Sequence, residues 1–163
     1  MQLVEGKIVE QALDINKVKF SQKAVELIKR KFSGYTNITV EGFDGLEEGS
    51  LVFREGQVIA CSYEYLKYGV VVNGGSAVAQ VFNAGAAKNG VFDVISFRAT
   101  DAELTVAVNP KVRVTFNVSP NDVNKLTHKE FNPAFARKVL SMVMKSSSKR
   151  SEIMKKLGLG AMG

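Results

Sequence analysis

Residues 47–65 read EEGSLVFREGQVIACSYEY, and this stretch predicts two strands joined by a tight turn. Glu55-Gly56 separates two segments rich in β-branched and aromatic residues, and Gly56 supplies the positive φ that a two-residue hairpin needs. The stretch specifies a structure but contains no catalytic motif. The question is therefore whether the hairpin is a scaffold or a binding surface.

The segments before this hairpin predict one strand and one helix packed against it. In YTNITVEG, Thr36, Ile38 and Val40 share one face, which is typical of a half-buried strand. A helix is predicted over residues 21–32, with Ser21 as its N-cap and Gly34 just past its end. Residues 8–13 are either an edge strand or an irregular lead-in.

The segments after the hairpin extend the same sheet. Residues 76–84 predict a short buried helix that Ser76 or Asn73 caps and Gly85 ends. GVFDVISF predicts a central strand, and residues 104–118 predict a hairpin that turns at Asn109-Pro110. We therefore expect an α+β fold, in which an antiparallel sheet of about five strands packs against two helices.

The last third of the chain predicts helices. Ser119-Pro120-Asn121-Asp122 opens one helix with an N-cap serine, a first-turn proline and an acid at N3. Asn132-Pro133 opens another, and KSSSKR is interpreted as a break before a final short helix that ends at Gly158. We expect an α+β core over residues 1–118 and a basic helical C-terminal extension over residues 119–163.

Positive charge is concentrated in this extension. Residues 1–110 hold 11 Lys/Arg against 13 Asp/Glu, whereas residues 111–163 hold 11 against 3. Solvated helix faces explain such runs most simply, but nucleic acid, an acidic protein and an anionic lipid surface are open alternatives. The candidate contacts are Lys138, Lys145, Lys149, Arg150, Lys155 and Lys156.

The inventory of reactive groups favours binding over catalysis. Cys61, the one cysteine, is flanked by apolar residues and is expected to be a buried strand thiol, and His128, the one histidine, a solvated side chain. Glu47 and Glu48 are interpreted as polar loop residues. The turn Asn73-Gly74-Gly75-Ser76 is interpreted as a strand-to-helix turn, with anion binding as the alternative. We expect no enzyme activity, cofactor or metal site.

The four tyrosines are the candidate partner contacts. Tyr63 and Tyr65 alternate onto one face of a strand, Tyr68 follows, and Tyr35 lies on another strand. Tyrosine suits both interfaces and sheet-to-helix packing, and packing is the favoured interpretation. No apolar run approaches the ~20 residues of a membrane span, and no signal peptide is recognised, so a cytoplasmic protein without membrane insertion is expected.

The segment FSGYTNITVEGFDGLEEGSLVFREGQVIACSYEY resembles the PATAN domain of signalling regulators, and more closely an uncharacterised archaeal family that looks related to it. The shared positions are Ser33, Gly34, Gly49, Leu51, Phe53, Gly56, either Val58 or Ile59, Ala60, Gly90, Phe92 and Phe97. The resemblance covers residues 5–110. It implies an α+β core that acts through protein contacts in signalling, without catalytic residues.

Two functions follow as expectations. The first is a non-catalytic protein-interaction or regulatory module in cytoplasmic signalling. The alternative is a nucleic-acid-associated protein that binds through the basic C-terminal helices. The partner's identity and the oligomeric state, including a homodimer, are left open.

Overall fold

The computed structural model describes residues 1–156, with side chains described through Ser148. This part of the chain divides into two compact units after Asn132. The strands are β1 Lys7–Asp14, β2 Gly34–Glu41, β3 Leu46–Arg54, β4 Gln57–Tyr65, β5 Val70–Asn73 and β6 Gly90–Ser96. The helices are α1 Phe20–Lys29, α2 Gly75–Ala84, α3 Ala99–Val108, α4 Pro120–Leu126 and α5 Ala134–Lys156.

The first unit is an α+β fold built on one antiparallel sheet in the order β1-β6-β2-β3-β4-β5. The described residues thus form six strands and five helices, where about five strands and two packed helices were predicted. Strand β5, which pairs with β4, was missed because Val70–Asn73 is only four residues long. The edge-strand interpretation of residues 8–13 is confirmed by β1.

The β3–β4 hairpin is confirmed at its turn. Glu55 has φ 49° and Gly56 has φ 81°, and Arg54 pairs with Gln57. Positive φ at both central residues matches the right-handed twist of the flanking strands. The residues of β2 also alternate as predicted, with Thr36, Ile38 and Val40 buried.

One face of the sheet, the inner face, is covered by helices and holds the main core. Phe20 of α1 packs edge-on against Phe92 of β6, with ring centroids 5.2 Å apart, and its ring lies 6.0 Å from that of Phe82 in α2. The helix α1 begins at Phe20, with Lys19 at the N-cap, so the prediction that Ser21 caps it is wrong. Burial of Phe20 outweighs the capping preference of a serine one residue later. Gly34 belongs to β2 and does not end α1.

The predicted hairpin over residues 104–118 is wrong. Residues Ala99–Val108 form α3, and a short 3-10 turn follows at Pro110–Val112. Ala102 and Val106, four residues apart on one helix face, are buried in a cluster with Val52 and Ala60 of the sheet. This tertiary contact outweighs the preference of β-branched residues for strands.

The C-terminal predictions meet mixed outcomes. The capping box at α4 is confirmed, because the Ser119 hydroxyl accepts from the Asp122 N–H and the Asp122 carboxylate accepts from the Ser119 N–H. The predicted break at KSSSKR is wrong, because α5 continues through it to Lys156. The hydroxyls of Ser146, Ser147 and Ser148 donate to carbonyls three residues earlier, which suits an exposed helix. The predicted stop at Gly158 lies outside the described residues.

Candidate functional site

Strand alternation sorts the hairpin side chains between the two faces of the sheet. Tyr63, Tyr65 and Glu47 point to the inner face, where they are buried. Glu48 follows Glu47, and Glu64 lies between Tyr63 and Tyr65. Because strand side chains alternate, Glu48 and Glu64 point to the other face. The two faces therefore differ in chemistry. Among the described residues, the inner face is buried, whereas part of the second face is exposed.

The inner-face tyrosines form a buried polar cluster. The Tyr63 hydroxyl donates to Glu47 Oε2 at 2.5 Å, and the Tyr65 hydroxyl donates to Gln80 Oε1 at 2.9 Å. Burial, and then the charge on Glu47, raise the pKa of Tyr63, and the same two causes raise the pKa of Tyr65. Both tyrosines pack the interior in this structure and present no surface to a partner.

Glu47 was interpreted as a polar loop residue, and that interpretation is wrong. It lies in β3 with 4% of its surface exposed. Its Oε1 accepts from the Phe43 N–H at 2.8 Å. A buried carboxylate is tolerated where it is hydrogen-bonded, and here the bonds hold the β2–β3 loop against the strand that follows it.

The other two tyrosines lie apart from this cluster. Tyr35 is half-buried on the opposite face, with its ring 5.6 Å from that of Phe97. Tyr68 is exposed in the short turn after β4, and its hydroxyl donates to Asp44, which also accepts from Lys67 Nζ at 2.8 Å. The Lys67 and Tyr68 hydrogen bonds hold the pKa of Asp44 below its usual range. These contacts tie the β2–β3 loop to the β4–β5 connection.

The outward face carries the strongest candidate site, which we call the open sheet surface. Helix α3 covers one end of this face, where it packs on Val52 and Ala60. The residues at the opposite end of the face are half-buried or exposed. Leu46 and Val91 are 55% and 44% exposed there, and they line a shallow depression of about 500 Å³. The open sheet surface consists of Thr39, Glu41, Leu46, Glu48, Glu64, Val71 and Val91.

The centre of the open sheet surface is acidic. Glu48 and Glu64 are directly opposite each other on neighbouring strands, and Glu41 lies on β2 close by. Within residues 1–148, none of these three carboxylates takes part in an ion pair. Like charges in register are destabilising, so this arrangement is suited to a positively charged partner.

Sequence reasoning missed this surface because Glu48 was assigned to a loop. The alternation of Leu46, Glu48 and Ser50 with Glu47, Gly49 and Leu51 was the available signal. It becomes informative only when β3 begins at Leu46, as the structure shows.

The turn before α2 joins a strand to a helix, as predicted, and it uses positive φ. Gly74 has φ 68°, and a Cβ there would lie 2.7 Å from the Arg113 carbonyl oxygen. A Cβ on Gly75 would lie 2.5 Å from the Phe116 ring. The glycines therefore allow residues 111–116 to pass close to the start of α2. Anion binding at this turn stays an alternative that no observation tests.

The remaining candidate groups occupy separate places. Cys61 is buried, as predicted, and burial raises the pKa of its thiol. His128 is exposed, and it lies beyond the end of α4 and not on a helix. Lys138 and Lys145 are exposed on α5. The side chains of Lys149, Arg150, Lys155 and Lys156 lie outside the described residues.

Two properties of the described residues bear on the class of site. No group of three or more His, Cys, Asp or Glu side chains among them is placed to hold a metal ion. No helix in the described part of the chain is both long enough and apolar enough to cross a membrane.

Comparison with models of known protein families gives a match. Residues 1–109 match the model of a family described as "Uncharacterized protein conserved in archaea (DUF2226)". No curated protein and no solved structure matches the chain. The matched residues include the whole six-stranded sheet and therefore the open sheet surface.

Proposed function

The chain belongs to this archaeal family, and we propose that it is a non-catalytic protein-binding module whose contact area is the open sheet surface. The observation that carries this proposal is that exposed Leu46 and Val91 lie beside Glu48 and Glu64, which take part in no ion pair within residues 1–148. Apolar side chains supply binding energy when a partner covers them, and charged ones supply specificity. Cytoplasmic signalling is the proposed setting.

The edges of the sheet argue for binding through a face and against strand addition. Edge strand β1 has two register shifts, and Ala12 within it has φ 53°. The Ala12 N–H is already used by Asp93 Oδ1 at 2.7 Å. The other edge, β5, has only four residues. Bulged and short edge strands resist pairing with another chain.

The rigidity of the support favours a preformed surface. Every residue of the open sheet surface lies on a strand. The strands concerned, β6, β2, β3, β4 and β5, are hydrogen-bonded to one another in that order. The adjoining loop is held by Glu47 through Phe43, and by Asp44 through Lys67. Preorganisation reduces the entropy lost on binding.

The relationship to PATAN domains is part of the proposal. Two glycines of the shared pattern are packing positions, which supports a shared fold. A Cβ on Gly49 would lie 2.9 Å from the Tyr63 ring and from Val81, and one on Gly34 would lie 2.1 Å from the Ile95 carbonyl oxygen. The absence of catalysis is also proposed, and burial of the Cys61 thiol supports it.

Site-specific photocrosslinking in the native host tests this function. A photoreactive residue replaces Val91 or Val71, and a matched control carries it at Gln22, which is exposed on α1. We expect a stoichiometric protein adduct from the first two positions, reduced by Glu48→Lys in the same chain. Equal adducts from all three positions, or none from Val91 and Val71, would contradict the proposal.

The nucleic-acid alternative is favoured by one observation. Every residue over 141–148 of α5 is exposed, and Lys138 and Lys145 lie on that helix. Gel shifts with single- and double-stranded nucleic acid over a salt series test this alternative. Binding that weakens steeply with salt and is lost in Lys138→Ala and Lys145→Ala chains would support it. No shift at low salt would exclude it.

A further inference from the structure

The open sheet surface has a chemical counterpart on the same chain. The exposed part of α5 combines cations with apolar side chains, among them Met142 and Met144, which is 70% exposed. Lys138, Met142 and Lys145 follow one another at i, i+4 and i+7, a spacing that places them on one helix face. Methionine adapts to irregular apolar surfaces. This face, the Lys-Met-Lys face, is suited to an acidic surface with apolar flanks.

The spacing of charges matches between the two surfaces. Glu41 and Glu64 are two strands apart and two residues apart along the strand direction. With strands about 4.8 Å apart and a rise of about 3.3 Å per residue, their Cα atoms are separated by about 12 Å. Lys138 and Lys145 are seven residues apart, which corresponds to about 10.5 Å along a helix. Both lysines can therefore meet carboxylates at once.

The position between the charges also matches. Leu46 lies on β3, between the strands that carry Glu41 and Glu64. It pairs with Glu41 and is two residues from Glu48, which pairs with Glu64. Met142 occupies the corresponding place between the two lysines. An apolar contact flanked by ion pairs excludes water from its centre, as interface contacts with a polar rim do.

Resting on the proposed function, we propose that the open sheet surface binds the Lys-Met-Lys face of α5 from a second copy of this chain. Each copy presents one acidic sheet surface and one basic helix face. Exchange of the two helices gives two equal contacts that close as a symmetric dimer. The uneven charge of the chain, with 11 Lys/Arg against 3 Asp/Glu in residues 111–163, then serves self-association.

A charge-swap experiment on the full chain tests this proposal. One variant carries Glu41→Lys, Glu48→Lys and Glu64→Lys, and the other carries Lys138→Glu and Lys145→Glu. We expect light scattering to give a dimer mass for the native chain, and each variant alone to dissociate at least tenfold more readily. Equal mixing of the two variants should restore a dimer, because both contacts in the mixed pair then join opposite charges.

The controls separate this contact from general effects of charge. Glu130→Lys changes an exposed carboxylate away from the surface and should leave the dimer intact. Restoration on mixing also shows that both variants fold. A monomeric native chain, or variants that dimerise as the native chain does, would overturn the proposal. So would a mixture that stays monomeric while each variant melts cooperatively.

These outcomes are distinct from failure of the proposed function. If the native chain is monomeric but Val91 crosslinks a different protein in a Glu48-dependent way, the binding function stands and the second copy is excluded. If crosslinking at Val91 yields only an adduct between two copies of this chain, the binding function and the dimer are both supported. If neither crosslinking nor association depends on Glu48, the binding function and the dimer are both contradicted.

Discussion

Glu48 on β3 and Glu64 on β4 lie directly opposite each other, and within residues 1–148 neither carboxylate takes part in an ion pair. A sheet designed for stability alone would not place like charges in register, because they repel across the strands. A positively charged partner that binds this surface would compensate for both charges. The pair therefore links the stability of the sheet to its proposed use.

Neutralising one member of this pair should stabilise the isolated chain. We expect Glu64→Gln to raise the free energy of unfolding by about 0.2–1 kcal/mol at low salt, and the gain should shrink at high salt because screening already weakens the repulsion. Urea denaturation at one low protein concentration measures this without a contribution from association. Glu130→Gln serves as the matched control, and an unchanged or lower stability for Glu64→Gln would contradict the prediction.

Loss of the Tyr63 hydroxyl should weaken the core. Tyr63→Phe leaves Glu47 Oε2 buried without the donor that now lies 2.5 Å away. A hydrogen bond to a charged group contributes about 1.5–3 kcal/mol, and we expect a loss of that size in denaturant unfolding. Tyr68→Phe makes the same chemical change at an exposed side chain and should have little effect. Equal losses in the two variants would show that burial of Glu47 is not what matters.

Removal of the Thr36 hydroxyl should strengthen the core. Thr36 Oγ1 is buried without a hydrogen-bond partner among the described residues. Thr36→Val replaces the hydroxyl with a methyl group of similar size and removes a desolvation penalty of about 1–3 kcal/mol. We expect a higher unfolding midpoint, whereas Thr39→Val on the half-buried outward face should change it less. A destabilised Thr36→Val chain would imply that a bound water or a shifted rotamer satisfies the hydroxyl.

The cap of α4 should make stability depend on acid pH. Two hydrogen bonds from Ser119 lower the pKa of Asp122 from its ordinary value of 3.8. The bond from the hydroxyl has the larger effect and the bond from the N–H the smaller. A carboxyl whose pKa is lower in the folded chain contributes stability that is complete above about pH 5 and is lost as the pH falls through the folded pKa. Thermal melts should therefore show Asp122→Asn to be less stable than the native chain at pH 6.

The difference between the two chains should then shrink between about pH 4 and pH 2. Ser119→Ala should reduce the same pH dependence, because it removes the hydroxyl hydrogen bond that lowers the pKa of Asp122 the most. A native and an Asp122→Asn melting temperature that differ equally at pH 6 and pH 2.5 would contradict the assignment.

Local signals were sufficient for the elements whose structure is decided locally. Glu55-Gly56 requires positive φ, the period of two in β2 requires one buried face, and Ser119 with Asp122 satisfies the first N–H groups of α4. The α+β class follows from these elements. In each case the residues that determine the conformation are neighbours in the chain, so the sequence by itself determines it.

Only tertiary packing decided the rest. Residues 99–108 form a helix because Ala102 and Val106 bury against Val52 and Ala60, which are more than 40 positions earlier in the chain. Glu47 is buried and Glu48 outward because helices cover the inner face, and the opposition of Glu48 to Glu64 depends on the register of two strands. The identity of a residue determines the chemistry of its side chain. The surroundings of that side chain come from segments that are distant in the sequence, so the candidate site forms only where these segments meet.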